Sequence, residues 1–415
     1  MSAESQEFRI SVRGLTLDMF VARLDRPWSG TGFPLVGLRI TSEDQIVELQ
    51  RLCSFVHVDV SRGRSPDLRY VSFEDDAVVR HARGEEEIEA LRRTRWESTT
   101  SFDAELGEAK QAFSRLESGI TAVMDDLNRG GKLDVEKLSD GVDTLVESIT
   151  RNPSAVPWIM ELRRKSDYSY QHALGCAVWA ATFGRHLGLE RQDLRDLAMG
   201  GLLCDIGKLR LSNDLLAQKG LLAEADWALL RSHVVQGCGI VESTPGLTAN
   251  VVEMVAHHHE RHDGSGYPRG LQGVEIPIFA RIIGLIDSYD AMTSVRPHAP
   301  SRSPHQAVME LYDYRDRLFQ AELVEQFIRT SGIYPTGSLV ELSNGTVGVV
   351  MSVHSLKRLR PCVMLLLDEE KRPLAEFRPV DLSQVRLDEQ QRALSIKRSL
   401  PRGAYGLDPG ELFLD

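Results

Sequence analysis

The chain has 415 residues, 42% hydrophobic and 26% charged, which is enough for two or three domains with buried cores. A formal net charge of -11 argues against a surface built for duplex DNA or anionic lipid, while a local basic pocket for one small phosphorylated ligand stays open. The start, MSAESQEFRI, has no leader pattern and no run approaches the ~18 apolar residues of a membrane span, so the expected location is the cytoplasm.

The stretches FRISVRGL, MFVARLDRPW and FVHVDVS alternate apolar and polar residues and are rich in β-branched side chains, which predicts a small, mainly β domain over residues 1–83 with one short helix at EDQIVELQRL. Residues 84–152 read as a helical connector that opens on the charged run GEEEIEALRRTRWE, a solvated helical face. Within it Leu106, Ala109, Phe113, Leu116, Ile120, Val123 and Leu127 follow a 3-4 spacing that lays one apolar stripe along a helix. That stripe must be buried, either against the next part of the chain or in the seam of a homodimer. A second amphipathic helix is expected at VEKLSDGVDTLVESI, with Leu138, Val142, Leu145 and Ile149 on one face.

Residues 153–333 read as helical throughout, broken at GLERQD, at the PG near 245 and at HDGSGYP. Alternation returns in VGVVMSV and CVMLLLD, which predicts a small antiparallel β module over 334–390 and a polar tail over 391–415. The expected architecture is multidomain α+β, an all-α helical bundle flanked by two small β units. The cysteines at 53, 176, 204, 238 and 362 lie far apart without a CxxC, so neither a disulfide framework nor a thiolate zinc finger is expected.

Seven of the twelve histidines fall between 172 and 262. His172, His233, His258 and His259, with Asp205 and Asp287, recur about once per helix-turn-helix step, which is how a bundle turns one ligand per helix toward a two-metal carboxylate-histidine centre. Neutral imidazole with carboxylate suits Fe, Mn, Zn or Ni better than Ca or Mg. His57, His81, His186, His305 and His354 read as surface or hydrogen-bonded core residues, and His257 and His262 as flanking the cluster without ligating.

The ordered series His172, CDIGK at 204–208, SHVVQG with His233, HHERHDGSGYP from 258 and DSYDAMTSVRP from 287 resembles the HD-GYP family of metal-dependent cyclic di-GMP phosphodiesterases. The region with DMFVARLDRPW resembles the domain of unknown function that often precedes it, and IYPTGSLVEL the module that trails it. The resemblance implies metal ligation by His172, Asp205, His233, His258, His259 and Asp287, with Asp205 bridging two divalent ions, Fe or Mn first and Zn or Ni after. It implies that Lys208 faces the scissile phosphate of cyclic di-GMP, that Arg296 contacts a ligand phosphate, and that the loop with Gly266 and Tyr267 borders the pocket and meets diguanylate cyclase (GGDEF) domains. The expected products are linear pGpG and GMP.

Three positions depart from the family pattern. Cys204 stands where an imidazole is expected and is either a thiolate ligand or an inert buried thiol. Tyr168 replaces the glutamate of three-metal members, so two metals are the expected maximum. After Arg296 and Pro297 the basic residue is missing, with His298 and Ala299 in its place. A non-catalytic cyclic di-GMP receptor or protein-interaction regulator is the alternative function.

Overall fold

The computed structural model describes residues 7–25, 28, 31, 33, 37–53, 55–60, 62–64, 66, 71–72, 84–163, 168–218, 220, 223–294, 301–354, 357, 359–384, 394–401 and 403–407. The chain separates into two compact units, 1–86 and 87–415. In the first, strands β1 (Glu7–Ser11), β2 (Phe20–Leu24), β3 (Leu38–Arg39), β4 (Phe55–Asp59) and β5 (Val71–Ser72) form one antiparallel sheet in the order β3-β2-β4-β1-β5. Helix α1 (Glu43–Leu52) lies at the predicted EDQIVELQRL. Alternation puts Ile10, Val21, Val56 and Val58 on one face, where they close over Leu49 of α1 as a separate core. Strands β3 and β5, two residues each, are too short to leave an alternating signature and were not expected.

A short helix, α2 (84–91), runs across the boundary between the two units in the chain. The second unit continues through α3 (Phe102–Asn128), α4 (Glu136–Arg151), α5 (Ala155–Leu162), α6 (Tyr168–Leu187) and α7 (Arg191–Leu203). After a 3-10 turn at Ile206–Arg210 come α8 (Asn213–Ala217), α9 (Glu224–Arg231), α10 (His233–Glu242), α11 (Ala249–His257), α12 (Ile278–Thr293), α13 (Pro304–Asp313) and α14 (Ala321–Ser331). The stripe on α3 is used inside the chain. Phe113, Leu116, Ile120 and Val123 are fully buried in one core with Leu138, Val142, Leu145 and Ile149 of α4. The two helices approach closely because Gly141 leaves room, since a Cβ there would lie 2.8 Å from the Leu116 Cα. Helix α12 is apolar nearly all round and sits at the centre of the bundle, with Ile282, Ile283, Leu285 and Ile286 fully buried. Buried Asp287 and Asp290 on that helix are therefore polar groups placed in the core, each in need of a partner.

A second antiparallel sheet holds β6 (Leu339–Leu342), β7 (Val347–Ser352), β8 (Cys362–Leu367), β9 (Pro373–Asp381) and β10 (Ile396–Ser399) in the order β10-β6-β7-β8-β9. Strand β10 corrects the reading of 391–415 as a polar tail. Its polar residues belong to a sheet edge, where Arg398 bonds Glu341 of β6 at 2.6 Å, while Leu400 and Leu407 just beyond are buried under the sheet. Among the described residues no helix is long and apolar enough to cross a membrane.

Candidate metal centre

Four helices and one turn bring the candidates together. His172 comes from α6, Asp205 from the turn after α7, His233 from the start of α10, His258 and His259 from just beyond α11, and Asp287 from α12. Ligand atoms of Asp205, His233, His258 and His259 lie within 4.8 Å of one another, and so do those of His172, Asp205 and Asp287. The two groups share Asp205, and its two oxygens face opposite ways. Oδ2 lies 3.3 Å from His172 Nε2, while Oδ1 lies 3.2 Å from His233 Nε2 and 3.8 Å from His258 Nε2.

The rings are oriented from behind. His233 Nδ1 donates to the Leu230 carbonyl at 2.7 Å and His258 Nδ1 to the Val255 carbonyl at 3.0 Å, so both Nε2 atoms carry lone pairs into the cluster. His172 Nδ1 donates to Asp290 Oδ2 at 2.8 Å, which turns its Nε2 toward Asp287 Oδ1 at 3.0 Å. His233 Nε2, His258 Nε2 and Asp205 Oδ1 are buried and have no hydrogen-bond partner among the described residues. Two imidazole acceptors and a carboxylate oxygen facing one another without a proton to share are electrostatically unfavourable until a cation joins them, and that donor set fits a divalent metal.

Charge in the cluster points the same way. Burial pushes the Asp205 carboxyl up, but the Lys208 ammonium and the imidazoles of His172, His233 and His258 outweigh it and hold it well below the usual carboxylate range. Burial likewise raises Asp287, and the His172 hydrogen bond with the nearby His259 and His172 rings brings it far down. Burial, then the neighbouring His258, lowers His259 well below the ordinary histidine range. Ionised carboxylates beside neutral imidazoles are the protonation states that bind metal.

Tight backbone packing fixes these positions. Gly207 of CDIGK lies against α10, where a Cβ would come within 1.9 Å of the His233 carbonyl oxygen. The turn after His259 is held by Glu260, whose carboxylate accepts from Arg269 N–H at 2.7 Å and Leu271 N–H at 3.0 Å. Of its glycines Gly264 takes the left-handed conformation, at φ 78°. Gly266 is required by close packing, because a Cβ there would lie 2.3 Å from the Arg261 nitrogen. Tyr267 stacks on His259 with ring centroids 4.7 Å apart, and the Arg231 guanidinium lies 5.2 Å from the centre of the Tyr267 ring.

Lys208 Nζ bonds Asp205 Oδ2, which sets its ammonium at the edge of the cluster. Cys204 is not among the clustered ligand atoms. Its Sγ donates to the Gly201 carbonyl at 3.4 Å, and the residue is 1% exposed within the helical core. His257 and His262 stand outside both groups, and His186, His305 and His354 bond Gln326, the Ile333 carbonyl and Asp381. Arg296, His298, Ala299 and His81, and the Tyr168 side chain, lie outside the described residues. Sequence reasoning missed Asp290, Glu260 and Arg261, which donates to the His258 carbonyl at 3.0 Å. The i, i+3 pair of acids in DSYD was the available signal for Asp290.

Residues 154–323 match the HD domain model, residues 7–138 the domain of unknown function DUF3391, and residues 339–392 the KOW domain associated with HD domain. The chain is 30% identical over 385 residues to the cyclic di-GMP phosphodiesterase PA4108 of Pseudomonas aeruginosa, covering 90% of this chain and 88% of that protein. This chain belongs to the HD-GYP family. Shorter matches tie the HD-GYP chain to the cyclic di-GMP phosphodiesterase response regulator RpfG of Xanthomonas campestris pv. campestris, 34% identical over 36% of this chain and 40% of that protein. The 3′3′-cGAMP-specific phosphodiesterase 1 of Vibrio cholerae is 36% identical over 34% of the HD-GYP chain and 32% of its own length. The family resemblance drawn from the motifs is thus borne out, and with it a metal-dependent phosphohydrolase domain.

Proposed function

We propose that this protein is a cyclic di-GMP phosphodiesterase that opens its substrate to linear pGpG, with GMP as a further product. The observation that carries the reading is the sharing of Asp205 between two ligand groups, one with His172 and Asp287, the other with His233, His258 and His259. Each oxygen of one carboxylate serves one group, which is the arrangement for two divalent ions, Fe or Mn by preference and Zn or Ni as substitutes. When bound, the pair supplies Lewis acidity to the phosphoryl oxygen and lowers the pKa of water.

The chain's own residues do the rest. Lys208 presents an ammonium where charge gathers on the phosphoryl oxygens, a fixed cation that needs no reorganisation during the reaction. The His259–Tyr267 stack and the Gly266 turn form a rigid wall for the bound nucleotide and the contact for diguanylate cyclase domains. Arg296 binds a phosphate. Cys204 keeps its thiol in the core, so the imidazole missing there leaves the remaining ligand set whole, which favours turnover over a receptor without activity. Five free cysteines suit the reducing cytoplasm.

The test is turnover of cyclic di-GMP by the full-length protein loaded with Mn or Fe, followed by chromatography of pGpG and GMP with metal analysis alongside. Asp205→Ala and His258→Ala are expected to lose metal and turnover while keeping the helical circular dichroism. Full metal content in either variant removes the ligand assignment, and a metal-loaded wild type that leaves cyclic di-GMP intact removes the substrate.

A further inference from the structure

We infer that a second cavity, at the far end of α6 from the metal ligands, binds a small phosphorylated ligand. His172 and Arg185 lie on the same helix, thirteen residues and therefore about 20 Å apart along its axis. Around Arg185 a chamber of about 590 Å³ is walled by residues 92 and 94–98, by 152–154, by the end of α6 and by Val353 and His354 beyond β7. A smaller chamber of about 170 Å³ shares Arg185 and His186 with it and reaches Trp179 and Arg329. The combined volume accommodates a nucleotide-sized molecule.

The lining is strongly cationic. Arg92, Arg95 and Arg185 face the larger chamber and Arg329 the smaller, against Glu97 as the one acid among the lining residues. Arg185 is half-buried, and its guanidinium bonds neutral oxygens, the Thr150 carbonyl at 3.2 Å and Ser98 Oγ at 3.4 Å. Among the described residues neither Arg95, Arg185 nor Arg329 has a carboxylate within ion-pair distance; Arg95 and Arg329 are exposed, and half-buried Arg185 contrasts with Arg151 and Arg281, which each hold one. A guanidinium taken partly out of water without a counter-charge is destabilising, and burial accordingly weakens the hold of Arg185 on its proton. Trp179, which lines the smaller chamber, has a buried indole Nε1–H without an acceptor among the described residues. Several fork-shaped donors around one cavity match the planar, multiply charged oxygens of phosphate groups. This site is independent of the metal cluster and of the reaction proposed there.

The experiment is equilibrium dialysis of the full-length metalloprotein with radiolabelled orthophosphate, beside the variants Arg185→Gln, Arg95→Gln and Lys208→Ala. Phosphate bound at the metal centre falls in Lys208→Ala, so the two sites are separable. The expected result is that Arg185→Gln loses one equivalent of phosphate per chain, that Arg95→Gln binds that equivalent about tenfold more weakly, and that both turn over cyclic di-GMP at the wild-type rate. Arg95 is exposed at the rim, so its variant reads the site even if loss of the Thr150 bond unfolds Arg185→Gln. Wild-type phosphate binding in folded Arg185→Gln or in Arg95→Gln, or binding that vanishes entirely in Lys208→Ala, overturns the inference.

Discussion

His172 and Asp290 form a buried pair in which the ring Nδ1–H donates to the carboxylate at 2.8 Å across the α6–α12 interface. Asp290 is completely buried and lies against α6 where Gly175 leaves space for it, since a Cβ there would be 2.1 Å from Oδ1. Its effect is to fix the tautomer and direction of the ring so that Nε2 is delivered to Asp205 and Asp287. Such outer partners typically change metal affinity by roughly 10–100-fold. Asp290→Asn is therefore expected to keep the fold and to hold metal more weakly by about that factor, measured by competition with a chromogenic chelator. Wild-type affinity in the variant contradicts the role.

Lys208→Ala is expected to retain the wild-type metal content and to slow turnover by about 10²–10³, the usual effect of removing one fixed electrostatic donor at a developing charge. The lysine lies on Asp205 yet cannot ligate while protonated. Metal analysis with steady-state kinetics separates the two effects, and unchanged kcat refutes the assignment.

Cys204→Ala is expected to bind the same amount of metal as the wild type, because the thiol faces the Gly201 carbonyl and not the cluster. Loss of one metal equivalent would make the sulfur a ligand after all. Stability should fall slightly, as a small buried group is removed from a packed core.

Gly207→Ala places a methyl 1.9 Å from the His233 carbonyl oxygen and 2.5 Å from the Gly237 nitrogen, both backbone atoms that cannot turn aside. The expected cost is at least about 1–3 kcal/mol, with His233 displaced and metal affinity lowered together. A thermal midpoint and metal content equal to wild type would show that the turn yields more easily than its packing indicates.

Asp381 of β9 gives a pH dependence away from the metal. Burial raises its carboxyl, but the Ser383 hydroxyl and backbone and the His354 ring outweigh that and lower it from 3.8 to about 2. A carboxyl depressed in the folded state contributes stability above its unfolded pKa and loses it as pH falls through the folded value. The wild type should thus be more stable than Asp381→Asn at about pH 5, by a margin that closes between about pH 4 and pH 2. Thermal melts across that range check it, and a margin that does not change with pH refutes it.

By itself the sequence determined the helical core, α1, the α3 and α4 stripes and the six metal-ligand candidates, because each leaves a local trace. Periodicity of 2 or 3.6 reports which face is buried, and a histidine or aspartate in a helical stretch is visible whatever packs around it. Tertiary structure alone decided which candidates face one another, since that depends on the two oxygens of Asp205 lying against different groups. It also decided that Asp290 orients His172, because that pair forms only where α6 packs on α12, and that Cys204 lies outside the clustered ligand atoms. Short strands such as β3 and β10 stayed hidden for the same reason. Their partners lie far off in sequence, and a strand of two to four residues at a sheet edge is stabilised by hydrogen bonds to those partners and leaves almost no pattern of its own.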